Sequence, residues 1–204
     1  GKIVGDLLKF LEEKIRAGMT TAALDRLAEN FIKRAGAVPS FLNYEGYPAS
    51  ICVSIDDEVV HGIPSERVIE EGSIVSVDVG ACIDGFHGDA ARTFIIGNAD
   101  ASKKKLVQVT KQCFYKALEM FAEGNRLGDM GAAVQQHAEA HGYSPVRALV
   151  GHGIGRNMHE DPPVPNYGTA GRGIKIERGM VLAIEPMINA GTFKVFTREN
   201  GWTV

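Results

Sequence analysis

A helix–helix–strand pattern occurs twice along this chain, and that repetition limits the fold more than any other feature. Residues 3–16 place Ile3, Val4, Leu7, Leu8, Leu11 and Ile15 at helical spacing, and Gly18 ends the run. Thr20 or Thr21 can cap a second helix whose apolar face is Leu24, Leu27, Ala28, Phe31 and Ile32, closing at Gly36. An aromatic-rich loop from Pro39 to Pro48 then leads into ICVSI, a strand, and VVHGIP, a turn. The plan recurs with a helix over 102–122, a stop at Gly124, a helix from Leu127 to His141 and a stop at Gly142, and Pro145 answers Pro39. Further on, EEGSIVSVDVG aligns with IERGMVLAIEPM, matching Gly72 to Gly179 and Asp78 to Glu185. Self-similarity of this kind implies two related halves, here about 1–98 and 101–204 of one α+β domain. If a pseudo-twofold axis relates them, Asp78 and Glu185 face each other across it.

Those carboxylates sit in strand-like, mostly apolar runs, where an ionised acid is costly unless something neutralises it. Asp84-Gly85 is a strong two-residue hairpin signal inside VSVDVGACIDGFHGDAARTF. A turn there sets Gly80 opposite Asp89 and Asp78 opposite Ala91. Asp78 and Asp89 then share one face as diagonal neighbours, their Cα atoms roughly 7–8 Å apart. Carboxylates so placed can bridge two cations about 3.5–4 Å apart, the spacing of two-metal hydrolases. Gly80 leaves room between them, and a turn one residue longer breaks the parity. The bland alternative is a solvent-facing sheet surface with ordinary aspartates.

GHGIGRNMHEDPPVP adds two histidines in a glycine-rich loop. Glycines flanking His152 let the backbone approach a site closely, and mixed histidine–carboxylate shells suit divalent metals from manganese to zinc. His159 lies seven residues on, too far along an extended segment for the same shell, and is better placed to polarise a carbonyl. His61 stands at a strand end beside a turn. His87 lies on the Asp89 face as a candidate outer residue, and His137 and His141 read as surface or packing residues on a helix.

Composition sets bounds on partners. Net charge is -3 with 23% charged residues, and Lys103 to Lys105 is the only basic cluster, so DNA is not an expected partner. No apolar stretch approaches the roughly 20 residues that span a membrane. Cys52, Cys82 and Cys113 are odd in number and far apart, which fits a reducing compartment rather than a disulfide framework.

Taken together, GYPASICVSIDDEVVHGIP, GSIVSVDVG, DGFHGDAARTF, GHGIGRNMHE, GMVLAIEPM and ENGWTV resemble the motifs of type I methionine aminopeptidases, within the creatinase/prolidase-like pita-bread superfamily. The resemblance covers nearly the whole chain. It implies a pita-bread fold, with duplicated halves around a curved antiparallel sheet, and an enzyme in which metal-activated water attacks the first peptide bond to release N-terminal methionine. Asp78, Asp89, His152 and Glu185 would be metal ligands, with Asp89 bridging two divalent ions (cobalt, manganese, iron, zinc or nickel). His61 and His159 would hold and polarise the scissile peptide, and Glu185 would pass a proton to the leaving amine. Phe41, Tyr44, Tyr47, Cys52, Met158 and Trp202 would line the methionine pocket. Implied partners are peptide and nascent-protein N-termini and the ribosome, for a cytoplasmic protein that is a monomer at full length. A prolidase-like dipeptidase or a non-catalytic pita-bread binding protein are the competing readings.

Two departures stand out. The family carries a smaller residue where Phe41 stands and an aromatic where Met158 stands. It also has a fifth ligand, a glutamate on a strand past the strand-like GWTV. The sequence thus reads as trimmed at both ends, with the expectation of at most one tightly held metal, weak activity and a tendency to self-associate.

Overall fold

The computed structural model describes residues 1–204 in two units: Gly1–Ala101 with Gly155–Met158 and Phe196–Val204, and Ser102–Ile154 with His159–Val195. In the first unit α1 (Lys2–Lys14) and α2 (Thr21–Arg34) precede β1 (Val38–Pro39), β2 (Ile51–Ile55), β3 (Ile74–Ile83) and β4 (Phe86–Ile95). Thr20 caps α2 by accepting the Ala23 N–H at 3.2 Å. All pairings are antiparallel: β4 runs along one side of β3, and β1 and β2 lie end to end along the other.

Side chains alternate across a strand, so the sheet has two distinct faces. Val75, Val77 and Val79 of β3, with Ile51, Val53 and Ile55 of β2, bury against Leu7, Leu11, Leu24 and Ile32 of the helices. Each such side chain contributes about 1.5–3 kcal/mol of burial free energy. The positions between them (Cys52, Ser76, Asp78, Gly80) therefore face away from the helices, as do His87, Asp89 and Thr93 of β4. The hairpin register is the one the Asp84-Gly85 turn dictates: Gly80 pairs with Asp89 and Asp78 with Ala91.

The second unit holds α3 (Ala101–Met120, whose first residue belongs to the other unit), α4 (Leu127–Ala140), β5 (Ser144–Pro145), β6 (Gly151–Gly153), β7 (Glu160–Val164), β8 (Leu182–Ala183) and β9 (Ile188–Asn189). Val109, Cys113 and Ala117 of α3 pack on Met130, Val134 and Ala138 of α4, with Val164, Ile176 and Ile188 completing the core. The repeat is visible in the backbone itself. Gly18 and Gly124, Gly36 and Gly142, and Gly72 and Gly179 all adopt positive φ, which glycine alone enters freely. Pairs recur as well: Pro39 with Ala81 becomes Pro145 with Ile188, and Thr20 with Val68 becomes Arg126 with Lys175.

Three local expectations need correction. GMVLAIEPM is not one strand; β8 and β9 are two residues each, separated by a segment containing Pro186, which has no N–H for a ladder. His152 lies in the short strand β6 rather than in a loop. GWTV is not a strand: it finishes a turn in which Gly201 has φ +75 and the Asn200 carboxamide oxygen accepts the N–H groups of Trp202 and Thr203. No helix is long and apolar enough to cross a membrane.

Candidate metal and substrate site

In the first unit, Asp78 and Asp89 lie half-buried on the sheet face away from the helices. Gly80 does not leave empty room there. A Cβ on Gly80 would come within 2.5 Å of the Phe41 ring and 2.8 Å of Ser40 Cβ, so that space is taken by the loop after β1. Ser40 in turn bonds His87 Nδ1 through its hydroxyl at 2.9 Å.

Beside the carboxylates lies an apolar cluster of Phe41, Tyr47, Ala49, Cys52 and Met158, with Tyr44, Ile63 and Trp202 packed against it. All six pocket residues expected from the sequence are thus brought together. Ala49 and Ile63 were not foreseen, since small and aliphatic residues carry no chemical signal. Tyr47 and Trp202 meet edge to face at 5.1 Å. The Tyr47 hydroxyl lies 3.1 Å from the Ile51 carbonyl and 3.0 Å from that of Gly62, fixing the segment next to His61. His61 itself has a left-handed backbone, φ 58. Cys52 pairs with Asp78 in the sheet register, so the cluster abuts the carboxylate face. Burial, and then the Asp78 charge, push the Cys52 thiol up, keeping it a neutral apolar group.

In the second unit, β6 presents His152, and a Cβ on Gly151 or Gly153 would sit 2.3 or 2.2 Å from the carbonyl oxygens of Ala183 or Asp161. Only glycine permits that approach. His152 Nδ1 lies 2.8 Å from the Gly153 carbonyl, which can only accept, so Nδ1 carries the proton. Its Nε2 points at Glu185 Oε1, 3.1 Å away. That oxygen is buried and lacks a properly oriented hydrogen bond despite the short distance. With Nδ1 donating to the carbonyl, Nε2 faces the carboxylate oxygen, and the pair can share either a proton or a metal ion. Asn166, buried and missed by the sequence reading, donates to the Glu185 carbonyl at 2.7 Å and holds its backbone.

His159 corrects an expectation. The chain turns back between β6 and β7, pairing Gly153 with Glu160, so the His152 and His159 rings meet edge to face at 4.3 Å. Seven residues of sequence become one van der Waals contact. The His137 and His141 rings, on and just after α4, meet tilted at 4.5 Å, with His137 bonded to Gln112. No three or more histidine, cysteine or carboxylate side chains are gathered closely enough to form a metal-holding group.

Metallopeptidase family M24 matches residues 1–203. The chain belongs to that family. A methionine aminopeptidase of Clostridium acetobutylicum is 57% identical over all of this chain and 82% of its own length. Methionine aminopeptidase 1 of Bacillus subtilis is 47% identical with the same coverage of each. The methionine aminopeptidase structure from Rickettsia prowazekii superposes with TM-score 0.96 at 41% identity, covering 98% of this chain and 82% of that one. A prolidase from Pyrococcus furiosus, 22% identical with TM-score 0.74 over 91% of this chain and 52% of its own, shares the fold. This M24 member therefore has the pita-bread α+β fold and is a metal-dependent hydrolase of peptide bonds.

Proposed function

We propose that this M24 peptidase removes the N-terminal methionine from peptides and nascent proteins, with Asp78, Asp89, His152 and Glu185 as metal ligands. The observation that carries the reading is the pairing of Cys52 with Asp78, which sets an apolar, sulfur-containing cluster against an acidic face within one unit. An unbranched thioether fits a cluster of aromatic rings, a thiol and Met158. A free α-ammonium suits the neighbouring Asp78, which restricts cleavage to the first peptide bond. Asp78 and Asp89, sharing one sheet face, would help hold divalent metal of the cobalt, manganese, iron, zinc or nickel class.

A divalent metal supplies an activated water and a Lewis acid at neutral pH. The protein does the rest. His159 donates to the carbonyl oxygen as negative charge develops on it. Glu185 takes a proton from the attacking water and delivers it to the leaving amine. His61, with its left-handed backbone, orients the scissile peptide, and Phe41, Tyr44, Tyr47, Cys52, Met158 and Trp202 enclose the methionine side chain. The three free thiols agree with a cytoplasmic setting, where the enzyme acts as a monomer on chains leaving the ribosome.

The test is release of free methionine from Met-Ala-Ser with added manganese or cobalt, set beside N-acetyl-Met-Ala-Ser and Ala-Pro. Cleavage of the first alone supports the reading. Cleavage of Ala-Pro but not Met-Ala-Ser would replace it with a prolidase-like activity.

A further inference from the structure

We infer that Arg198 is a positioning residue that sets the methionine pocket by anchoring Trp202 to the buried carboxylate of Glu58; the inference rests on the pocket reading above. Trp202 belongs to no helix or strand. It rides on a turn running from Arg198 to Thr203, closed by the Arg198 N–H on the Thr203 carbonyl at 2.7 Å and by the Gly201 N–H on the Arg198 carbonyl at 3.0 Å. Asn200 fills the turn, accepting from the Trp202 and Thr203 N–H groups and donating to the Thr203 hydroxyl at 2.8 Å. The turn is internally rigid but needs a point of attachment.

Arg198 provides it. Its Nη1 lies 3.0 Å from Glu58 Oε1 and its Nη2 lies 3.0 Å from Asp57 Oδ2. Glu58 is not a solvated surface charge, because its side chain is only 8% exposed. Its Oε2 accepts the Ile55 N–H at 2.9 Å, and its Oε1 also receives Arg67 at 2.7 Å. The guanidinium thus meets an acceptor already held in place, where a charge-assisted bond is directional. Beyond it the Val204 N–H donates to the Val60 carbonyl at 3.1 Å, and the Thr203 hydroxyl lies 3.4 Å from the His61 carbonyl. The Arg198 ion pairs to Glu58 and Asp57 thus act with these bonds to hold the turn that carries Trp202 against Tyr47 and beside His61.

Removing Arg198 leaves Glu58 with Arg67 and the Ile55 N–H, so no buried charge is orphaned and the fold survives. Trp202 is the only tryptophan, which makes its emission a direct reporter. In the manganese-loaded protein, Arg198→Ala is expected to red-shift that emission and increase acrylamide quenching. It is also expected to raise KM for Met-Ala-Ser on the order of tenfold and to narrow discrimination against Leu-Ala-Ser. Turnover stays within about threefold, because the residue touches no reacting atom. Arg198→Lys restores most of the emission and of KM, since an ammonium still reaches one carboxylate. Should Arg198→Ala not fold, Glu58→Gln carries the same test, because its carbonyl still accepts the Ile55 N–H. Unchanged emission and KM in the alanine variant, or a lysine variant no better than alanine, would overturn the proposal. A wild-type chain that releases no methionine would instead sink the functional reading, while the emission comparison would still decide the anchoring role.

Discussion

His152 Nε2 and Glu185 Oε1 stand 3.1 Å apart while the other imidazole nitrogen is committed to the Gly153 carbonyl. A proton or a metal ion can join the pair, and Glu185→Gln separates the two. A glutamine can donate from its amide to the Nε2 lone pair, so the metal-free protein should melt at the same temperature or slightly higher. Its affinity for manganese should fall by a factor of ten or more, on the scale of a lost ligand or ligand partner. Thermal melts in EDTA and metal content by mass spectrometry check both halves; undiminished metal binding would remove Glu185 from the ligand set.

Asp89→Ala should abolish methionine release and leave the chain folded. Asp89 is half-buried and lies opposite Gly80, so its loss opens no large apolar cavity but leaves Asp78 as the hairpin's only carboxylate on that face. More than a small fraction of wild-type activity with excess metal would contradict a bridging role.

His159→Ala should lower turnover by roughly 10²–10³-fold, the usual cost of one oxyanion donor, with metal content near normal. The 4.3 Å ring contact with His152 makes the metal measurement decisive. A parallel fall in metal content would make His159 a ligand or the support of one.

Gly80→Ala should destabilise the protein by about 1–3 kcal/mol through overpacking, because the new methyl would overlap the Phe41 ring. Phe41→Ala in the same chain should recover part of that loss. Additive effects in the double-mutant cycle would mean the two positions are not in contact. Denaturant melts of the four proteins supply the numbers.

Asp25 on α2 accepts the N–H groups of Ser50 and Ile51 at 2.9 and 3.0 Å, both buried residues at the entry to β2. Asp25→Ala should cost roughly 1–3 kcal/mol by leaving those donors unsatisfied. Burial raises its carboxyl above the ordinary 3.8. The folded state thus holds this proton more tightly than the unfolded one, and stability from this group is lost as pH rises from 3.8 through the raised value. Asp25→Asn keeps the acceptor and should flatten the part of the stability profile that lies above pH 3.8. A profile unchanged from wild type would show that Asp25 does not titrate in that window.

Much of this was legible because it is local. The two-residue Asp84-Gly85 turn set the side-chain parity of the β3–β4 hairpin, and with it the shared face of Asp78 and Asp89, since alternation propagates from a turn without tertiary help. Glycines at the ends of matching elements disclosed the repeat, because a left-handed backbone is a property of one residue. Apolar spacing located all four helices to within two residues at each end.

What the sequence left open depends on chain segments meeting at a distance. Nothing in the letters from His152 to His159 shows that the chain doubles back and sets the two rings in contact. Phe41 filling the space over Gly80, and Asn166 holding the Glu185 carbonyl, are packing outcomes with no periodic signature. GWTV reads as a strand by β-propensity, yet the Asn200 side chain accepts the Trp202 and Thr203 N–H groups and closes a turn there. The sequence by itself determined which residues could do chemistry and which face of each element they occupy, because those follow from short-range geometry. Only the tertiary structure decided their neighbours, because contacts between distant segments are chosen by the burial and polar satisfaction of the whole fold.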